Sequence, residues 1–210
     1  MSQHLINLNA DLGESFGAWN MGDDAAMLSI VGSANVACGF HAGDPTVMRQ
    51  TVRLALQNGV SIGAHPSFPD LQGFGRRAMQ MSADELEACI VYQIGALQAM
   101  AHAQAGRVTH VKVHGALSNI ACRDSATAQT VVRAVQSLGG ALALLAPALS
   151  ELSRAAERAG MRVRHEVFAD RTYQDDAQLT PRSMPGSVLH EPEECVAHVL
   201  SMLDQGGIVT

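Results

Sequence analysis

The chain has 210 residues, 47% of them hydrophobic, which suits one domain with a full core. Its formal net charge of −6 disfavours nucleic acid as a partner, and no apolar run reaches the ~18 residues that a membrane span requires. The four cysteines are widely spaced, and the N-terminus lacks a basic segment followed by an apolar one. We therefore expect a cytoplasmic protein that binds neither nucleic acid nor membrane.

Apolar runs alternate with helical segments along the chain. The runs predict strands at 4–9, 34–38, 60–64, 108–113, 141–145 and 161–168, with 187–189 as a further candidate. Capping residues predict helices at 44–59, 82–106, 124–138, 147–159 and 191–206. This alternation is typical of an α/β fold with a parallel sheet.

The pattern favours a barrel over an open doubly wound sheet. An open sheet of the Rossmann type carries Gly-x-Gly-x-x-Gly after its first strand, whereas this chain reads Asp-Leu-Gly-Glu from residue 11. Polar residues follow at least five predicted strands, and the ends of parallel barrel strands converge on one rim. A complete barrel of eight units needs ~250 residues. We therefore predict one irregular, incomplete β/α (TIM-like) barrel over residues 1–210.

Acids and imidazoles follow the first two predicted strands. Asp11 and Glu14 lie in a glycine-rich turn, where adjacent carboxylates can act as one acid and one base. His41 and Asp44 follow the second strand, and Asp44 precedes a proline, as a helix N-cap often does. All four are candidate catalytic residues, with capping as the alternative for the three acids.

The third predicted strand ends at His65, another candidate catalytic residue, and leads into a long loop that carries Arg76 and Arg77. Two guanidinium groups on a loop suit the binding of a carboxylate or phosphate, and a solvent-exposed pair is the alternative. A late apolar run repeats the pattern with further candidates for substrate or phosphate binding, which are Glu166, Asp170 and Arg171.

Lys112 is the only lysine of the chain, and it lies between Val111 and Val113 in a predicted strand. Alternation along the strand places Lys112 and His114 on one face, opposite the valines. An ammonium group and an imidazole on one face can polarise a carbonyl and transfer a proton. We therefore predict that both residues are catalytic.

Other chemistries find less support in the sequence. It contains neither a Gly-x-x-x-x-Gly-Lys motif for nucleotide phosphates nor a Gly-x-Ser-x-Gly nucleophile motif. Cys38 lies near His41, but a small core residue is the favoured interpretation. Asp11, His41, His65 or His114 could ligate a metal, yet no His-Glu-x-x-His spacing supports this. We assign no metal ligands and leave a divalent metal open.

Several blocks of sequence resemble the LamB/YcsF family, the A subunits of bacterial 5-oxoprolinase. They are 9–17 (NADLGESFG), 34–45 (ANVACGFHAGDP), 63–77 (GAHPSFPDLQGFGRR), 114–117 (HGAL) and 166–173 (EVFADRTY). The resemblance implies an irregular β/α barrel of the glycoside hydrolase/deacetylase type. It also implies opening of 5-oxoproline (pyroglutamate) to L-glutamate, with ATP as co-substrate and two partner subunits, B and C.

The chain departs from the family pattern in two places. The family motif Lys-Pro-His-Gly-Ala-Leu-Tyr has Val113 and Ser118 here in place of its proline and tyrosine. The family also ends with a strand carrying Val-His-Gly-Asp and a terminal helix, neither of which occurs before Thr210. We therefore expect the domain to lack this C-terminal strand and helix.

The implied reaction needs cations for the anionic groups of the substrate. Lys112 with Arg76 or Arg77 would hold the carbonyl oxygen or the substrate carboxylate. Because the chain lacks a phosphate-binding loop, we expect a partner subunit to perform or complete the phosphorylation.

The reaction also needs a base that activates water and an acid that protonates the ring nitrogen. We assign the base to Asp11 or Asp44 and the acid to His65 or His114. Two other functions stay open, namely a metal-dependent deacetylase for a carbohydrate or similar amide, and a non-catalytic subunit that binds the substrate.

Overall fold

The computed structural model describes residues 6–209, which form a parallel six-stranded sheet with helices packed against it. The strands lie side by side in chain order as β1 (Asn9–Leu12), β2 (Ser33–Ala37), β3 (Ser61–His65), β4 (Val108–Val111), β5 (Ala143–Pro147) and β6 (Val163–Glu166). The helices are α1 (Asp24–Leu28), α2 (Pro45–Gln57), α3 (Ala83–His102), α4 (Gly115–Ala121), α5 (Ser125–Ser137), α6 (Glu151–Arg158) and α7 (Pro192–Gln205). The sheet curls into a half-barrel, which confirms the predicted α/β class and incomplete barrel.

Capping side chains fix where the main helices begin. Asp44 accepts hydrogen bonds from the backbone N–H groups of Thr46 and Val47 at the start of α2. Ser82 and Glu85 form the predicted capping box of α3. The predicted starts of α5 and α7 are confirmed as well. Of the helices within residues 6–209, none combines the length and apolar character that crossing a membrane requires.

The first strand differs from its prediction. β1 begins at Asn9 and reaches Leu12, whereas the apolar pattern predicts 4–9, of which 4 and 5 lie outside the described residues. The reason is that Asn9 and Asp11 are polar, so the strand does not read as an apolar run. Polar residues are tolerated here because Asn9 and Asp11 both accept hydrogen bonds from the side-chain amide of Asn35 inside the half-barrel.

Other boundaries also differ from the predictions. α6 begins at Glu151 rather than 147, because Ser150 caps the helix and Pro147 still belongs to β5. The region 187–189 forms no strand, and Val188 makes only an isolated bridge with Arg171. The short helices α1 and α4 were not predicted.

Two rows of laterally paired residues cross the sheet on opposite faces. The buried apolar row consists of Leu12, Val36, Ala64, Val111 and Leu144. It shares one core with the apolar faces of α3 and α5. The other row consists of Asp11, Asn35, Gly63, His110 and Ala143. This second, inner row carries polar groups into the half-barrel and forms the base of the candidate site.

Candidate active site

Hydrogen bonds between strands hold the inner row together. Because the side-chain oxygen of Asn35 can only accept, Nε2 of His110 donates to it over 3.0 Å. The amide of Asn35 in turn donates to Asp11 at 3.0 Å. Gly63 makes room for the imidazole, since a Cβ here would lie 2.1 Å from Nε2 of His110. The carboxylate of Asp11 is therefore fixed by the strands beside it.

Lys112 follows β4 directly and forms two ion pairs in the interior. Its Nζ lies 3.2 Å from Oδ1 of Asp11 and 2.7 Å from Oε1 of Glu166, and it donates to Asn9 at 3.3 Å. Burial alone would lower the pKa of this amine, but Asp11 and Glu166 outweigh it and raise the pKa. Lys112 is therefore a charged group enclosed by carboxylates.

The carboxylate of Asp11 links this lysine to a histidine. Its other oxygen, Oδ2, lies 3.3 Å from Nε2 of His65. Burial would raise the pKa of Asp11, but His65 and Lys112 together bring that pKa well below its ordinary value. The carboxylate is therefore ionised. It is also accessible, because 35% of the Asp11 side chain is exposed.

Glu14, His41, His65 and His114 form a second group, here called the histidine cluster. Each lies at or just after the C-terminal end of a strand, on β1, β2, β3 and β4 respectively. Oε1 of Glu14 lies 3.0 Å from Nε2 of His41 and 3.6 Å from Nδ1 of His114. Nδ1 of His114 lies 3.0 Å from Nε2 of His65. The four side chains thus turn their polar atoms toward one small region.

Backbone carbonyls orient two of the imidazole rings. Nδ1 of His65 lies 2.6 Å from the carbonyl oxygen of Lys112, and Nε2 of His114 lies 2.9 Å from that of Phe74. A carbonyl oxygen only accepts, so both of these nitrogens carry protons. The other nitrogen of each ring faces the cluster.

Burial and charge separate the pKa values within the cluster. Burial, and after it the charge of His65, lowers the pKa of His41 and of His114 to about 3. Burial would also lower the pKa of His65, but Asp11 outweighs it and raises that pKa. Burial raises the pKa of Glu14. The pKa values of Asp11 and Glu14 therefore diverge, as those of adjacent carboxylates in unlike surroundings do.

The loop that follows β3 packs directly against the cluster through Gly75. This residue has φ +62°, a conformation that favours glycine. A Cβ here would lie 2.1 Å from Oγ of Ser67 and 2.9 Å from both His41 and His114. The ring of Phe74 meets the same two imidazoles edge-on, with centroids 5.4 and 5.2 Å away. The loop thereby shields the cluster on one side.

A cavity of about 460 Å³ opens beside Asp11, His65, Lys112 and His114. Its opposite wall comes largely from the segment after β6, including Phe168, Tyr173 and Thr180. Four arginines also line the cavity, namely Arg76, Arg123, Arg171 and Arg182. A cavity with this many guanidinium groups suits an anionic ligand.

Comparison with known proteins identifies the family. The LamB/YcsF family model matches residues 6–210. The chain belongs to the LamB/YcsF family. It is 65% identical over 204 residues to the A subunit of 5-oxoprolinase from Azoarcus sp. (strain BH72), covering 97% of this chain and 80% of the relative. It is 54% identical over 206 residues to the A subunit of 5-oxoprolinase from Rhodopseudomonas palustris (strain ATCC BAA-98 / CGA009), covering 98% and 81%.

A solved structure agrees with the fold of this LamB/YcsF chain. The lactam utilization protein from Thermus thermophilus superposes with a TM-score of 0.91 at 47% sequence identity. The alignment covers 96% of this chain and 81% of that protein. The half-barrel is therefore shared with this solved structure.

Asp44, a predicted catalytic residue of this LamB/YcsF chain, has another role in the structure. Both oxygens of Asp44 accept backbone N–H groups, at the start of α2 and from Gly17 at 2.8 Å. The bond from Gly17 leads the effects that lower the pKa of Asp44. Asp44 is thus an N-cap outside the cluster, the alternative that the proline after it suggested. Cys38 is buried in the core, as its favoured interpretation has it, and burial raises the pKa of its thiol to about 12.

The predicted binding residues divide into three groups. Arg76 lines the cavity, whereas Arg77 forms an ion pair with Asp70. Glu166 forms an ion pair with Lys112, and Asp170 is exposed. Arg171 lines the cavity, but its guanidinium donates to the carbonyl oxygens of Thr180 and Ser187, at 2.6 and 3.1 Å.

Four further positions of the candidate site do not emerge from the sequence analysis. Asn9 and Asn35 bind the charged groups of the site, and a polar residue at every second position of β1 was the signal that could have found Asn9. The same alternation occurs in β2, where Ser33 and Asn35 are polar, so it could have found Asn35 as well. Arg123 and Arg182 line the cavity, and no local pattern marks either of them.

Proposed function

We propose that this chain opens the lactam ring of 5-oxoproline by hydrolysis to give L-glutamate, as one subunit of an ATP-dependent 5-oxoprolinase. The observation that carries the proposal is the ion-paired group of Asp11, Lys112 and Glu166 at the base of a cavity lined by arginines. The names of the relatives, which are A subunits of 5-oxoprolinase and a lactam utilization protein, support the same reaction class.

Lys112 is placed to stabilise negative charge on the lactam oxygen. A five-membered lactam resists water because resonance protects its carbonyl. Attack at the carbon and phosphorylation of the oxygen both place negative charge at that oxygen. The ammonium group is fixed in advance by Asp11 and Glu166, and its side chain is only 11% exposed. Fixed charges in such sheltered sites stabilise developing charge more strongly than water does.

Asp11 is placed to accept a proton from the attacking water. Of the two aspartates considered as the base, only Asp11 lines the cavity. The oxygens of Asp44 are already occupied by backbone N–H groups. The same carboxylate can return the proton to the ring nitrogen, which becomes the amine of glutamate.

The arginines of the cavity provide partners for the other anionic groups. The carboxylate of 5-oxoproline, or a phosphoryl group attached during the reaction, can form paired hydrogen bonds with a guanidinium. Arg76, Arg123 and Arg182 line the cavity, whereas the guanidinium of Arg171 is already engaged by backbone carbonyls.

ATP enters the proposal as the group that activates the lactam. Transfer of the terminal phosphoryl group of ATP to the carbonyl oxygen releases ADP and removes the resonance protection. Water then adds to the carbon, the C–N bond breaks to leave an acyl phosphate, and a second water releases L-glutamate and inorganic phosphate. The sequence lacks a Gly-x-x-x-x-Gly-Lys motif, so we assign phosphorylation to the B and C partners and ring opening to this chain. The relatives are named as one lettered subunit of 5-oxoprolinase, which supports assembly with other subunits.

The test is release of glutamate from 5-oxoproline, measured with and without ATP and the partner subunits. Lys112→Ala should lower kcat by roughly 10²- to 10³-fold, the usual effect of removing one group that stabilises an oxyanion. Lys112→Arg should restore part of the rate, and Arg158→Ala, an exposed position on α6, is the control. Unchanged turnover in Lys112→Ala would remove the lysine from the mechanism.

The same assay separates the other candidate functions. Glutamate release that needs no ATP would point to direct amide hydrolysis of the deacetylase type. Normal turnover of the complex after Asp11→Asn would assign this chain a binding role and place the chemistry on a partner subunit.

A further inference from the structure

The histidine cluster brings four potential metal ligands to one point. The ligand atoms are Oε1 of Glu14, Nε2 of His41, Nε2 of His65 and Nδ1 of His114, and all lie within 4.8 Å of one another. Three of their separations are 3.0, 3.0 and 3.6 Å. A tetrahedral zinc ion with bonds of about 2.0–2.1 Å needs ligand atoms about 3.3–3.4 Å apart. These three separations are close to that spacing, and the other three are at most 4.8 Å.

The hydrogen bonds behind the cluster prepare two of the rings for coordination. Histidines that bind metals commonly donate their second nitrogen to a carbonyl or carboxylate, which fixes the tautomer and the ring plane. His65 does this with the carbonyl of Lys112 and His114 with that of Phe74. The remaining nitrogen of each ring therefore faces the cluster centre, and it presents a lone pair there when the ring is neutral.

The facing nitrogens of His65 and His114 need a proton or a cation between them. Nε2 of His65 and Nδ1 of His114 are 3.0 Å apart, and each ring already carries a proton on its other nitrogen. Two facing lone pairs repel at this distance, so either an extra proton or a cation must lie between the rings. Glu14 adds negative charge beside them, 3.6 Å from His114.

We propose that the histidine cluster binds one divalent transition-metal ion, with Zn²⁺ as the first candidate. Three imidazoles and a carboxylate form a donor set that suits zinc and neighbouring first-row metals rather than calcium or magnesium. The ligands come from four consecutive strand ends, and the three histidines are at most 5% exposed. The ion would lie beside the cavity, because His65 and His114 line it.

This inference is independent of the proposed lactam hydrolysis, since the roles given to Lys112 and Asp11 need no metal. A bound ion beside Asp11 could polarise a carbonyl or supply activated water. Metal binding and glutamate release are measured separately, so either result can fail while the other stands.

The test is calorimetric titration of the purified chain with ZnCl₂ after treatment with a chelator. About one equivalent should bind, with a Kd below about 1 µM. Co²⁺ in the same site should give the strong visible absorption of four-coordinate cobalt. Zinc should also raise the melting temperature in proportion to the logarithm of its free concentration.

Matched variants decide whether the bound ion lies in the cluster. His65→Ala and His114→Ala should each weaken zinc binding by about 100-fold or more, beyond the 10- to 100-fold typical for loss of an outer partner. Glu14→Gln keeps the side-chain shape and should also weaken binding. His102→Ala, at an exposed position, should bind zinc like the parent.

Two results would overturn the proposal. One is a parent chain, folded by circular dichroism, that binds neither Zn²⁺ nor Co²⁺ below about 100 µM, which would mean that the two rings share a proton. The other is unchanged zinc affinity in Glu14→Gln together with a folded His65→Ala or His114→Ala variant, which would place the ion elsewhere.

Discussion

Among single residues, His110 illustrates how the half-barrel accommodates polar groups in its interior. The imidazole occupies the space that Gly63 leaves and donates to Asn35, so it packs without a charge of its own. Burial, followed by the positive charges of Arg164, Lys112 and His65, lowers the pKa of His110 to about 4. The fold therefore requires this imidazole to stay neutral.

The low pKa of His110 predicts a loss of stability in mild acid. Between pH 6.5 and 4 the unfolded chain binds a proton here that the folded chain refuses, so stability is full above pH 6.5 and falls below it. The difference of about 2.5 pKa units corresponds to about 3 kcal/mol. Urea unfolding of the parent and of His110→Gln across pH 4–7.5 should give curves that converge as the pH falls.

A control at an exposed histidine makes this result specific. His102→Gln, at the end of α3, should leave the parent's pH dependence in place. Equal slopes for the parent and His110→Gln would show that His110 does not account for the acid sensitivity.

Among the secondary-structure elements, α2 is capped by Asp44, a residue that the sequence also predicts to be catalytic. Asp44 accepts three backbone N–H groups, two at the start of the helix and one from Gly17. One carboxylate therefore holds the turn after β1 against the turn after β2. Its position three residues from His41 is a consequence of where the helix starts.

Asp44→Ala should lower stability without removing a catalytic group. Loss of an N-cap costs about 0.5–2 kcal/mol, and Asp44→Ser should recover part of this because serine also caps helices. Chemical denaturation measures the stability, and kcat for glutamate release by the folded enzyme should change less than threefold. A drop in kcat as large as that caused by Asp11→Asn would show that Asp44 also takes part in catalysis.

The elements differ in how far the sequence predicts them. Helices with a strong start, such as the Ser82–Glu85 box of α3, were predicted because the local hydrogen bonds depend only on neighbouring residues. β1 was misplaced because Asn9 and Asp11 are stabilised by partners on other strands, which no local pattern contains. α6 was extended too far because Pro147 also suits a helix start, whereas its backbone completes β5.

On the scale of the whole molecule, the cavity lies between the strand ends and the segment that follows β6. Arg171 ties that segment together by donating to the carbonyl oxygens of Thr180 and Ser187. Because Tyr173 and Thr180 line the cavity, the shape of its wall depends on this buried guanidinium.

Arg171→Ala should loosen the cavity wall. Hydrogen bonds from charged donors contribute about 1.5–3 kcal/mol each, so the variant should open this segment far more often than the parent. KM for 5-oxoproline should rise about tenfold with a smaller change in kcat, and chymotrypsin should cut within 171–189 faster. Arg182→Ala, an exposed arginine on the same segment, is the control for proteolysis. Equal cleavage rates in both variants would contradict the role of Arg171.

The meeting of distant residues was the most predictable part of the site. Asp11, His41, His65 and Lys112 lie together because the ends of parallel strands share one rim, and this follows from element order alone. The arginine wall was less predictable. Arg123 follows α4, and Arg182 reaches the cavity only because its segment folds back over the sheet.

The bond from His65 to position 112 is made to the main chain, not to the amine of the lysine. An alanine at 112 therefore keeps the tether that aims His65 while deleting the ammonium. The reverse also holds, since changes at Glu14 leave the pairing of Lys112 with Glu166 untouched. Lys112 and Glu14 can therefore be changed one at a time, whereas Asp11, which contacts both Lys112 and His65, couples the two halves of the site.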